Sequence, residues 1–274
     1  MNAKNQIKIL KRVFSALVFC CVFTISASAH TLWVNCTDYD PNYLPGSGAK
    51  TKIYIGWGHH FPVDSFVKAE DFTDIDILEP SGKHERVSLE TTGFAAKQLS
   101  LKEEGLYVIA VTRKDAYNTS YRENGKVVLA KGTKEGRKDV VSSTYSQQFA
   151  KSLVLSGNGN TNNLSHAFGH KLEIIPLTNP YAITNNRGGE MILKVLFNGK
   201  PVQHKKVYAM YEGYSNDDAA SCTVSTDEKG IARLRIDHWG VWVVKTKLEL
   251  PASEAMKEKV NQENYFASLT FSVP

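Results

Sequence analysis

The feature that most constrains this chain is the two-residue alternation running through its last third. Ala232, Leu234 and Ile236 alternate with Arg233, Arg235 and Asp237. Trp242, Val244, Thr246 and Leu248 are set against Lys245, Lys247 and Glu249, and Tyr265, Ala267, Leu269, Phe271 and Val273 have mostly small polar partners. A period of two puts successive side chains on opposite faces of an extended backbone, so these segments are expected as half-buried strands. "NGK" at Asn198 to Lys200 and "DEKG" at Asp227 to Gly230 supply turns between neighbouring strands. From Gly188 onward the pattern predicts a compact sandwich of about seven short strands, immunoglobulin-like or transthyretin-like. Pro251 to Asn264, with its Ala, Glu and Lys residues, is the one stretch expected as a helix or helical loop.

The front part is also expected as β. Thr51, Ile53, Ile55 and Trp57 share a face, "EPSGK" turns a hairpin, and "EEGLYVIAV" is a glycine-started strand. Arg113 to Lys138 is rich in Lys, Arg, Gly and Asn, with Val127-Val128-Leu129 as its apolar content, and predicts a surface hairpin or loop with a solvated positive face. "LEIIPLTNPYA", Leu172 to Ala182, predicts a last strand entering a proline-punctuated linker. The expected fold class is therefore all-β, with a first β-sandwich over 30–185 and a second over 186–274.

Residues 1–29 have the build of an export signal. Lys8, Lys11 and Arg12 precede an apolar run from Val13 to Ile25, and Ala27-Ser28-Ala29 is a small-x-small cleavage pattern. Cleavage after Ala29 makes His30 the first residue of a periplasmic protein without stable membrane insertion. The charge argument changes with it. Of 33 basic residues, Lys4, Lys8, Lys11 and Arg12 belong to the leader, which leaves 29 against 28 acidic ones and removes the case for a nucleic-acid partner. Cys36 and Cys222 remain, and their spacing leaves open whether they pair or stay as separate thiols.

A histidine at a processed terminus carries two nitrogens for one metal ion, the main-chain amine and the imidazole Nδ1. One more imidazole completes a three-nitrogen, T-shaped histidine brace, suited to Cu(II) or Ni(II) more than to tetrahedral zinc. Further imidazoles stand in "GWGHHFP", where His59 and His60 follow a strand that ends at Gly56 and Gly58. Those glycines remove side chains where a close backbone approach or a ligand pocket needs space. Continued alternation puts His59 on the Ile53, Ile55 and Trp57 face and His60 on the other. Metal ligands are protonated on acidification, so binding is expected to weaken below about pH 6. His166 and His170 in "HAFGH" have a four-residue spacing, but Gly169 and the Asn-rich approach favour a loop or strand, and they rank below His30, His59 and His60. His84, His204 and His238 fall in turns or at a strand end and are expected to be structural or solvent-facing. No nucleophile elbow, HExxH, phosphate loop or CxxC motif is present, and the acidic residues from Asp38 to Asp76 lack a calcium-loop spacing.

With "GHHFP", "GHKLEIIPLTNP", "FNGKPVQHKKV", "STDEKGIARLRI" and "GVWVV" added to the terminal histidine, the chain from His30 to its end resembles the periplasmic nickel/cobalt-uptake component family. That resemblance implies β-sandwich parts and a non-enzymatic accessory of metal transport. It favours His30 and His59 as ligands, with His60 next, nickel or cobalt as the metal, and a membrane uptake transporter as partner. The basic insert from Arg113 to Lys138 has no counterpart in it. Two other readings of the same residues stand beside this one: copper held by the same nitrogens for oxidative chemistry on a polysaccharide, and a metal-free structural or adhesive sandwich.

Overall fold

The computed structural model describes residues 30–65, 67–73, 75–90, 95–184 and 188–274. The expected leader lies outside the described residues, as do Asn185, Asn186 and Arg187 at the expected boundary. Among the described residues the chain forms sixteen strands: β1 (Thr31–Cys36), β2 (Ala49–Gly58), β3 (Ile75–Leu78), β4 (His84–Val87), β5 (Ala96–Leu101), β6 (Gly105–Glu123), β7 (Lys126–Lys131), β8 (Val140–Ser156), β9 (Leu172–Pro176), β10 (Gly189–Phe197), β11 (Lys200–Pro201), β12 (Lys206–Tyr211), β13 (Cys222–Ser225), β14 (Ile231–Ile236), β15 (Gly240–Pro251) and β16 (Gln262–Val273). The chain is all-β. Among the described residues its helical pieces are two short 3-10 turns, Ala69–Asp71 and Pro180–Ala182. Among the described residues no helix is long and apolar enough to cross a membrane.

The strands form three layers. A nine-stranded central sheet runs β13-β12-β15-β16-β8-β6-β3-β4, with β7 also paired to β6. A three-stranded sheet, β1-β2-β5, covers part of one face, and a four-stranded sheet of β9, β10, β11 and β14 covers part of the other. Pairing is antiparallel except between β16 and β8, which run parallel from Gln262 opposite Thr144 to Thr270 opposite Ser152. Hydrogen bonding joins strands from either side of residue 186 twice, in this pair and between β9 and β10. The second part is two packed antiparallel layers of short strands, an immunoglobulin-like sandwich.

The layering accounts for the sequence patterns. In β6, Leu106 and Val108 face the four-stranded sheet, while Tyr107, Ile109 and Val111 face the three-stranded one. A strand buried on both faces needs a continuous apolar run, which is what "GLYVIAV" provides. In β14 only Ala232, Leu234 and Ile236 are buried and the arginines between them are exposed. β16 corrects the expectation of a half-buried strand, because its polar residues are buried as well: Ser268 donates its hydroxyl to Leu32 O at 2.6 Å, and Thr270 donates to Val34 O. β1 lies across β16, and the small hydroxyls satisfy carbonyls on its edge that have no strand partner there.

Other expectations resolve in detail. Arg113 to Lys138 is a hairpin of β6 and β7 turned at Asn124-Gly125, both at positive φ. Of Pro251 to Asn264, Pro251 ends β15 and Gln262 to Asn264 open β16; the residues between are a loop closed by turns, with Lys257 N–H donating to Ser253 O at 2.8 Å, and form no helix. The two cysteines are separate free thiols. Cys36 is buried against Ser152, and burial pushes its pKa up to about 12.

Candidate metal centre

His30 leads directly into β1. The register pairs Thr31 with Gly58, so the next step along each strand brings His30 opposite His59. Their ring centroids are 4.6 Å apart, and Trp57 stands 4.3 Å from the His30 ring. Trp57 and His59 thus lie on one side of the strand end, as alternation requires. His60 is not brought into that pair; its Nδ1 is 3.5 Å from Asp64, and half of its side chain is exposed.

The two glycines make close approaches possible. A Cβ on Gly56 would stand 1.9 Å from Trp33 Nε1, and one on Gly58, whose φ is +145°, would stand 2.1 Å from an Asp64 oxygen. Trp33 is fully buried, and its indole N–H donates to Pro62 O at 2.8 Å, beside Asn35, whose Nδ2 donates to the same oxygen. Asp64 folds back under the turn and accepts the backbone N–H of His59 at 2.6 Å and of His60 at 3.2 Å. These bonds hold its carboxyl below the usual range. The glycines therefore make room for Trp33 and Asp64.

Around the histidine pair the charges alternate. His59 Nδ1 is 3.4 Å from an oxygen of Asp218, in the loop between β12 and β13, and the other oxygen of Asp218 accepts from Lys245 of β15 at 2.7 Å. The Arg113 guanidinium lies over the Trp57 ring at 4.8 Å, and Gln148 Nε2 donates to His30 O at 2.9 Å. Burial, then the neighbouring His59, lower the His30 imidazole pKa; Asp64 opposes this and Arg113 adds to it. Trp57 Nε1, Arg113 Nε and Gln148 Oε1 are buried without a hydrogen-bond partner among the described residues. Among those residues, no set of three or more His, Cys, Asp or Glu side chains is gathered to hold a metal ion.

The sequence reading did not single out Asp64, Asp218 or Gln148 for this site. Asp64 follows closely in "GHHFPVD" and is accessible to a turn argument; Asp218 and Gln148 arrive through tertiary pairing and leave no local mark. The remaining histidines take other places. His238 stacks on Tyr211 with centroids 3.9 Å apart, and His204 sits in a turn at positive φ. His84, expected to be structural or solvent-facing, is exposed on β4 and its Nδ1 donates to Asp76 at 2.8 Å; its ring lies 5.3 Å from His166. His170 stacks on Phe149 at 4.8 Å.

A family model described as "Domain of unknown function (DUF4198)" matches residues 27–250. The chain belongs to the DUF4198 family. The match takes in β1 through most of β15 and so contains the His30–His59 pair. No curated protein matches this DUF4198 chain. Similar solved structures include the D0-D1 domain of intimin, with 14% identity over 88% of this chain and 97% of that one and a TM-score of 0.22. Another is the tetra-tandem repeat in the extending region of a large adhesion protein, with 10% identity over 89% of this chain and 74% of that one and a TM-score of 0.24.

Proposed function

We propose that this DUF4198 protein is exported, cut before His30, and binds a divalent transition metal, nickel or cobalt before copper, as a periplasmic accessory to a membrane uptake system. The observation that carries the reading is the pairing of the His30 and His59 rings at 4.6 Å by the β1–β2 register. The donor chemistry fits. After cleavage, His30 offers amine and Nδ1, and His59 offers a second imidazole whose Nδ1 faces Asp218. A carboxylate behind a ligating histidine fixes its tautomer and leaves Nε2 directed at the metal. Asp64 and Asp218 offset the positive charge that Arg113 and Lys245 bring close, so a dication is not met by a purely basic surface. Gln148 Oε1, Trp57 Nε1 and Arg113 Nε are polar atoms that a hydrated ion entering here would engage.

Nickel titration by calorimetry tests the reading with two forms of the protein, one beginning at His30 and one carrying an extra glycine before it. The extension removes the amine from the chelate while leaving both rings in place, and at least a tenfold loss of affinity is expected, with one ion bound per chain. His59→Ala is expected to lose as much. Equal affinity in the extended and native-start forms overturns the reading.

A further inference from the structure

A second constellation lies on the other face of the central sheet, at its β4 edge. The register sets Arg86 of β4, Asp76 of β3, Ala110 of β6 and Lys151 of β8 in one row across four strands. The segment before β9 closes over the Lys151 end of the row. There Lys151 and Glu173 form a buried ion pair at 2.9 Å, and Glu173 also accepts the backbone N–H groups of Phe168 and Gly169. Those bonds fix Phe168 and His170 as a wall. Ala110 is the small residue of the row, and above it lies a groove of about 280 Å³ between that wall and the strand edge. Its polar side chains are Thr73, Asp76, Arg86, Thr112 and His170.

The lining narrows the class of ligand. Asp76 and Arg86, directly opposite each other in register, present an acceptor and a fork of donors side by side. The pair adds no net charge, and the Asp76 carboxylate is oriented by a hydrogen bond from His84 Nδ1 at 2.8 Å. His170 Nε2 and Thr112 Oγ1 lie 3.5 Å apart; the hydroxyl both donates and accepts, and the ring nitrogen does one or the other according to its tautomer. The flat Phe168 ring supplies an apolar wall. The volume, about 280 Å³, falls just below the range of about 300–1,000 Å³ typical of ligand sites. Neighbouring hydroxyls on a ring with an apolar face match this array, whereas an anion meets Asp76 and a cation meets Arg86. We propose that the groove binds a neutral, monosaccharide-sized polyol, one pyranose ring lying along Phe168 with adjacent hydroxyls bridging Asp76 and Arg86.

Saturation-transfer NMR on the full mature chain tests this with glucose, galactose, mannose and N-acetylglucosamine, and with glycine and alanine as zwitterionic controls. A small open site predicts a Kd on the order of 1 mM. At least one neutral sugar is expected to receive saturation at its ring protons, with a tenfold or greater loss of affinity in Arg86→Ala, an exposed position whose truncation leaves the core intact. Phe168→Leu, which keeps the packing and loses the flat face, is expected to weaken the signal likewise while near-ultraviolet circular dichroism stays unchanged. No transfer to any of the four sugars at about 10 mM overturns the proposal, as does a signal retained in either variant or transfer to the amino acids alone.

Discussion

At the scale of single residues, the strand end that carries His59 is specified by what its neighbours exclude. Gly56 lies opposite Trp33 in the β1–β2 register, and the indole occupies the place of its missing side chain. Trp33 cannot withdraw, because it is fully buried and bonded to Pro62 O. Gly56→Ala is expected to cost about 2 to 3 kcal/mol, read as a lowered urea midpoint with an unchanged slope, since overpacking a rigid site forces the backbone apart. His170 gives a prediction in pH. Burial holds its pKa down at about 4, below the ordinary 6.5, with Glu173 and Asp76 opposing and Lys151 reinforcing the shift. The native state thus keeps the ring neutral while the unfolded chain takes up a proton. The stabilisation is present in full above about pH 6.5 and is lost as pH falls toward 4. His170→Gln is expected to flatten the decline in urea midpoint between pH 7 and 4.5; an unchanged decline would remove His170 as its source.

At the scale of elements, β1 carries His30 and is held from two sides. β2 supplies its ladder, and Ser268 and Thr270 of β16 reach its other edge through side-chain hydroxyls. Thr270→Val keeps the shape and removes the donor to Val34 O. Leaving that buried carbonyl unpaired is expected to cost about 1 to 3 kcal/mol and to speed amide exchange across Thr31–Cys36, measured by mass spectrometry. What the sequence could reveal divides along the same line. Strands with one wet face, such as β14, announce themselves by alternation, and the β6–β7 hairpin by its Asn124-Gly125 turn. His30 and His59 were legible as candidates from the terminal position and the "GHHFP" motif, but the β1–β2 register that sets their rings 4.6 Å apart, just beyond the ends of both strands, was not. The burial of both faces of β16 was not legible, since serine and threonine there look like solvent-facing partners until β1 is laid over them. Nor was the arrival of Asp218 beside His59, because a contact across 159 residues follows from sheet order and leaves no periodic signal.

At the scale of the whole molecule, the central sheet makes its two ends interdependent. β8 pairs with β6 on one edge and with β16, in parallel, on the other, and its Phe149 and Leu153 pack in the same core as Leu172, Leu193, Tyr265 and Leu269. A chain limited to residues 30–184 therefore loses more than a neighbouring module. It exposes the open edge of β8 and the side chains of Leu78, Leu106, Val108, Phe149 and Leu153, which face strands that come later in the sequence. Each such side chain is worth about 1.5 to 3 kcal/mol when fully buried, and an unpaired strand edge beside an apolar face invites association. The truncated chain is expected to elute as aggregate in size-exclusion chromatography. The intact chain from His30 to Pro274 should unfold in one calorimetric transition whose measured and van't Hoff enthalpies agree, because no layer can separate without opening a core shared with another. Two resolved transitions, or a monomeric and cooperatively folded 30–184 fragment, would show that the β8–β16 pairing joins two self-sufficient sandwiches, and the site at His30 would then have to be supported by the first of them without Asp218 and Lys245.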